Sequence, residues 1–107
     1  MRLKEEDLEA VTKKIGCTVF LKGSIDRVVS PIKRTLIRGG NAGLSVGGTG
    51  DALAGLIAGI RAQGVESFDA CCMASKAIKK AGEKLKKTFG FAYGTKRVID
   101  QIPFLLR

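Results

Sequence analysis

Apolar residues recur at helical spacing over residues 3–15, where Leu3, Leu8, Val11 and Ile15 form an approximate stripe. Glu5, Glu6 and Asp7 suit the first turns of a helix, whose N-terminal end carries partial positive charge, and Gly16 supplies a stop. The period then shortens. Residues 17–21 are a short β-rich run ended by Lys22 and Gly23, which predicts a buried, central strand. Apolar and charged residues alternate over 25–30 and 32–37, predicting a hairpin with one wet face and Pro31 near its turn.

Beyond a glycine-rich loop the pattern becomes helical again. Residues 52–63 carry Ala52, Leu53, Ala54, Leu56, Ile57, Ala58 and Ile60 with no polar face, so this helix is expected to be buried all round. Gly55 and Gly59, four apart, would let a strand or helix approach closely. Residues 67–88 predict a longer helix with Cys71, Ala74, Ile78, Ala81 and Leu85 inward, and Lys76, Lys79, Lys80, Lys84, Lys86 and Lys87 on a solvated face. Gly90 and Gly94 bracket a turn, Thr95 is placed to cap a last short helix, and Pro103 lies near its end. The fold class is α/β, a single segment over 1–107, in which one central strand is too little cover for a helix apolar on every side. The sheet is therefore expected to be completed by another chain or a further segment.

Composition narrows the chemistry. The 107 residues include 19 Lys+Arg against 10 Asp+Glu, a net charge of +9, with ordinary globular apolar content. The longest apolar stretch, 52–60, is far short of the roughly 18–20 residues of a membrane span. Acidic residues near the N-terminus replace the apolar run of a signal peptide, so a soluble, cytoplasmic protein with no membrane partner is expected. No histidine is present, which removes imidazole catalysis and histidine-ligated metal from this chain. Cys17, Cys71 and Cys72 lack metal-ligand spacing and read as small core residues in a reducing compartment. The aromatic residues do not interleave with the basic ones, so a nucleic-acid partner is not expected despite the charge.

Eight of the 14 glycines fall between Gly39 and Gly59, and the strongest motif lies among them. Gly47-Gly48-Thr49-Gly50-Asp51 runs directly into the apolar helix. Glycines let backbone N–H groups turn toward an anion, and the helix terminus adds partial positive charge, so a phosphate fits there. Asp51 in the first turn could then act as general base toward a hydroxyl being phosphorylated. The same residues also suit a plain turn with Thr49 as N-cap and Asp51 complementing the helix dipole. A P-loop is excluded, since no Gly-Lys-Ser/Thr follows. Lys22-Gly23-Ser24 ends a strand where α/β folds gather ligand groups, or simply opens a turn, and Asn41 serves as a turn residue or a ligand contact.

The run from Gly40 to Gly55, GNAGLSVGGTGDALAG, resembles the signature of the NAD(P)H-hydrate dehydratases of the ribokinase-like superfamily, a family often called carbohydrate kinases. Lys22-Gly23 upstream and Val98-Ile99-Asp100-Gln101-Ile102-Pro103 downstream fit the C-terminal region of that family. The resemblance implies the C-terminal portion of a three-layer ribokinase-like fold. It implies ADP- or ATP-dependent phosphorylation of the hydroxyl of NADH or NADPH hydrate, followed by loss of phosphate. On that resemblance Asp51 contacts the hydrate and serves as base, and Asn41 faces the same substrate. Gly47, Gly48, Thr49 and Gly50 form the anion hole, with Gly50 on the nucleotide, while Lys22, Gly23, Ser24, Ile25 and Asp26 line its phosphate side. Magnesium is implied with ADP or ATP, without an assigned ligand. Ala42 stands where the family usually has proline, and the N-terminal βα units that supply much of the hydrate site are missing. Self-association, or a chain supplying that part, is accordingly expected. The alternatives are a small-molecule, sugar-type kinase with the same anion hole, a non-catalytic nucleotide-binding module and, last, a basic nucleic-acid-binding module.

Overall fold

The computed structural model describes residues 5–45 and 47–106. Helix α1 (Glu5–Ile15) is followed by strands β1 (Val19–Leu21), β2 (Asp26–Val29) and β3 (Arg34–Ile37). A 3₁₀ turn at Ala42–Ser45 leads to helices α2 (Thr49–Ala62), α3 (Ser67–Phe89) and α4 (Thr95–Leu105). The three strands form one antiparallel sheet in the order β1-β2-β3.

The hairpin is where the alternation predicts it. Ser30 closes its turn by accepting the N–H groups of Ile32 and Lys33 on its hydroxyl, with Pro31 fixing the bend. The central strand, however, is β2. Val19, Phe20 and Leu21 are half-buried, yet β1 pairs only with β2 among the described residues and stands at the sheet edge. Alternation along β2 sends Asp26 and Val28 toward α3, where Val28 packs with Phe68, Cys71 and Ile37, the residue of β3 opposite Asp26. Val29 and its partner Arg34 face the other way, and Arg34 meets Glu9 of α1 by an ion pair.

Helix α1 touches the sheet through Leu8 and Thr12, which are four apart and buried. Val11 and Ile15 of the expected stripe are exposed, because among the described residues the main contact of this helix, with β2, is narrow; Leu3 lies outside the described residues. Gly16 ends α1 in the left-handed conformation with φ 68°, its N–H returned to the Thr12 carbonyl.

The main core lies among the last three helices, with Leu53 and Ile60 of α2, Ala74, Ile78 and Ala81 of α3, Tyr93, and Val98 of α4. Cys71 lies in the smaller cluster with Val28, Ile37 and Phe68, with Cys72 packed beside it, and burial pushes both thiols above their ordinary values, so they stay protonated at neutral pH. Cys17 departs from the core reading: it is exposed in the turn after α1. Helix α2 departs further. Among the described residues it is covered mainly by α3 and α4, and Ala54, Gly55, Ala58, Gly59 and Ala62 form a bare small-residue face, with open space beside both glycines. The described chain is a slab of 43 × 33 × 18 Å, whose radius of gyration of 14.1 Å exceeds the roughly 13 Å of a compact chain this long. No helix in it is long and apolar enough to cross a membrane.

Candidate functional site

Two glycine-dependent structures carry the predicted residues. The first is a cleft of about 660 Å³ between the turn after β1 and the loop after β3. Lys22, Gly23 and Ser24 form one wall, Gly39, Gly40, Asn41 and Ala42 the other, and Lys79 reaches in from α3. The structure therefore brings Asn41 to the Lys22-Gly23-Ser24 turn, across residues that are distant in sequence. Ile25 is exposed and lines a shallower hollow shared with Arg27 and Leu36.

Each wall is tied down from beneath. Asp26 is buried, and its carboxylate accepts the Gly23 N–H at 2.9 Å and the Ser75 hydroxyl at 2.7 Å. Lys79, also buried, lies 3.7 Å from that carboxylate and donates to the carbonyls of Ser24 and Gly39. Asp26 thus shapes the turn from below and keeps its oxygens away from the cleft. On the facing wall, the Asn41 amide donates to the Gly82 carbonyl at 2.8 Å, while its oxygen accepts the Gly43 N–H and the Tyr93 hydroxyl. One Asn41 N–H remains for a ligand, since an amide nitrogen has two. Gly40 donates to Glu83 at 3.2 Å, and both Gly39 and Gly40 have positive φ, at 112° and 72°.

The second structure is the Gly47–Asp51 run at the start of α2. Gly48 is the N-cap residue, in the left-handed conformation with φ 91° and no side-chain cap. Thr49 is the first helical residue rather than the cap; it is fully buried, and its hydroxyl sits 3.3 Å from that of Thr95. Thr95 likewise begins α4 rather than capping it, and its hydroxyl donates to the Gly47 carbonyl at 2.7 Å, tying the loop to α4. Gly50 and Asp51 are exposed in the first turn of α2, where their N–H groups have no acceptor among the described residues. This end of the helix is therefore open to an anion, with the Asp51 carboxylate beside it. None of Gly47 to Asp51 lines the cleft, so the two structures are neighbours in sequence without sharing a cavity.

Sequence reasoning put Lys79 on the solvated lysine face, whereas only 6% of it is exposed. The signal was present. Ser75, Lys79, Gly82 and Glu83 sit at i, i+4, i+7 and i+8, a polar stripe beside the apolar one. Tyr93 and Thr95 were also missed as loop anchors, having no motif of their own.

The family model described as NAD(P)H-hydrate dehydratase, of carbohydrate-kinase type, matches residues 4–104. The chain belongs to this family. Among its relatives is a bifunctional NAD(P)H-hydrate repair enzyme Nnr of Methanothermobacter thermautotrophicus, 39% identical over 98 residues, covering 92% of this chain and 19% of that protein. The Nnr of Methanopyrus kandleri is 33% identical over 97% of this chain and 21% of its own length. An ADP-dependent (S)-NAD(P)H-hydrate dehydratase of Neisseria meningitidis serogroup B is 38% identical over 84% of this chain and 32% of its own length. The chain thus spans about a fifth to a third of these dehydratase relatives. Its mixed helix and sheet architecture is compatible with part of a ribokinase-like fold.

Proposed function

We propose that this chain forms the nucleotide-facing part of an ADP-dependent NAD(P)H-hydrate dehydratase, within a three-layer ribokinase-like domain that further polypeptide completes. The observation that carries the reading is the uncapped start of α2, with exposed N–H donors at Gly50 and Asp51 and the Asp51 carboxylate beside them. In this reading the hydrate's hydroxyl oxygen attacks the terminal phosphorus of ADP while its proton passes to Asp51. The bond from that phosphorus to the bridging oxygen breaks, AMP leaves, and the donors of Gly47 to Gly50 stabilise charge on the transferred phosphoryl group. Departure of phosphate from the ring carbon, with loss of a proton from the adjacent carbon, restores the dihydronicotinamide.

Lys22, with the turn through Gly23 and Ser24, faces the nucleotide's phosphates, and Asp26 holds that turn in shape. Asn41 offers its remaining N–H to the hydrate side. Magnesium would arrive with the nucleotide. The residues here do not make a site for it, since no three potential ligands cluster among the described residues and Asp26 is committed to Gly23, Ser75 and Lys79. The bare face of α2 supports cover by further polypeptide, whether in the same chain or a second one.

The test is recovery of dihydronicotinamide absorbance when NADH hydrate is mixed with the protein, magnesium and ADP or ATP. Asp51→Asn should lower the rate by roughly 10²–10⁴-fold without changing the fold. An unchanged rate in that variant would remove Asp51 as base and the mechanism with it. Faster turnover with ATP than with ADP would reassign the phosphoryl donor.

A further inference from the structure

A lysine with 6% exposure on the inward face of a helix needs a reason, because burying an ammonium is unfavourable unless each N–H finds a partner. Lys79 donates two hydrogen bonds, to the Ser24 carbonyl at 3.3 Å and the Gly39 carbonyl at 3.4 Å, and its charge is paired with the Asp26 carboxylate at 3.7 Å. Ser24 belongs to one wall of the cleft and Gly39 to the other. We infer that Lys79 is a positioning residue that staples the two walls of the cleft to α3 at a fixed separation, with Asp26 and Ser75 holding its ammonium group in register.

The stem of Lys79 forms part of the floor. A Cβ placed on Gly40 would lie 3.4 Å from Lys79 Cγ, and one on Gly39 would lie 3.7 Å from Lys79 Cβ. Glu83, one turn further along α3, takes the Gly40 N–H. A single helix therefore grips both loops through Ser75, Lys79 and Glu83. Glycine-rich loops lose much conformational freedom when a ligand orders them, and a loop ordered beforehand pays less of it on binding. With two of its donors on the Ser24 and Gly39 carbonyls and its charge paired with Asp26, Lys79 acts on a ligand through the loops. The direct pull on an anion comes from Lys22 and from backbone N–H groups. The inference rests on the proposed nucleotide site only for what the cleft holds; the staple itself is a property of the free protein.

The experiment compares Lys79→Met, Lys79→Arg and the double variant Asp26→Asn/Lys79→Met with the unaltered chain. Amide hydrogen exchange is read at Gly23 and Gly40 in the free protein, and ADP affinity by titration calorimetry. Lys79→Met should speed exchange at both glycines by about tenfold or more relative to β2 and β3. It should weaken ADP binding by roughly tenfold, as loss of a supporting contact typically does. The double variant no longer buries an uncompensated carboxylate, so it should regain thermal stability while exchange and affinity stay impaired. Lys79→Arg, which keeps charge and donors, should recover part of both. If exchange at Gly23 and Gly40 rises no more than elsewhere, or returns together with stability in the double variant, Lys79 is only a packing residue and the inference fails. Should Lys79→Met not fold, the double variant decides. Absence of ADP binding by the unaltered chain would count against the nucleotide site, leaving the exchange measurements to decide the staple.

Discussion

The cleft and the start of α2 are both built on glycine, and they are held in opposite ways. Around the cleft the glycines are crowded: a Cβ on Gly43 would lie 2.5 Å from the Tyr93 ring, and one on Gly82 would lie 2.8 Å from Leu44. Side chains from β2, α3 and the Tyr93 segment fix this region, through Asp26, Lys79, Asn41 and Glu83. Along α2 the glycines stand in the open. Gly47, Gly50, Gly55 and Gly59 have no atom within 4 Å of a would-be Cβ, and Thr95 is the principal tie on the loop. The difference teaches that the cleft is finished by side chains of this chain, whereas the start of α2 keeps space that the described residues do not fill. Space beside a glycine is needed where a ligand or another backbone comes close.

The sharpest way to break this comparison is to add one methyl group on each side. Gly43→Ala drives a methyl into the buried Tyr93 ring and should cost about 1–3 kcal/mol in urea unfolding, whereas Gly47→Ala should stay within about 0.5 kcal/mol. Equal losses would mean that the two regions are not packed differently. A smaller effect of opposite sign is expected along α2. Gly55→Ala and Gly59→Ala should each stabilise this chain by up to about 1 kcal/mol, because the gain in helix propensity meets no clash. Joined to the remaining length of a relative, the same substitutions should turn destabilising; continued stabilisation there would show that nothing packs on that face.

The smallest expected effect concerns pH. Burial raises the Tyr93 hydroxyl above its ordinary value of 10.0, against the opposing influence of its hydrogen bond to Asn41. A group raised in the folded state contributes stability that is complete below the unfolded value and is lost as pH rises through the folded one. Stability should therefore hold up to about pH 10 and slope downward above it, and Tyr93→Phe should remove that part of the slope. An unchanged slope would detach Tyr93 from the loop it anchors.

Local patterns were the legible part of this molecule. The α3 apolar stripe through Cys71, Ala74, Ile78, Ala81 and Leu85, the hairpin around Pro31 and the stop at Gly16 each depend on neighbours within a few residues, and all three stand in the structure. The glycine-rich run marked the start of α2 for the same reason, with Asp51 in its first turn. Errors arose where a residue's role depends on what lies across space. Residues 17–21 look central by composition, but pairing on a second side is needed to make a strand central. Thr49 and Thr95 have good capping chemistry, yet their hydroxyls meet each other, and Gly48 and Gly94 take the cap positions.

By itself the sequence determined the family, the order of elements and the residues from which an anion site could be made. Periodicity, glycine placement and motif spacing are properties of short segments, and short segments are what a sequence displays directly. Only the tertiary structure decided that Lys79 is inside, that Asp26 faces Gly23 and Ser75, and that Asn41 lines the same cleft as the Lys22 turn. It also decided that α2, apolar on every side, is covered on one side alone. Burial of a charge depends on partners brought together from distant parts of the chain, here from residues 24, 26, 39 and 79. That convergence is fixed by how β2 and α3 pack, not by the spacing of residues within either element.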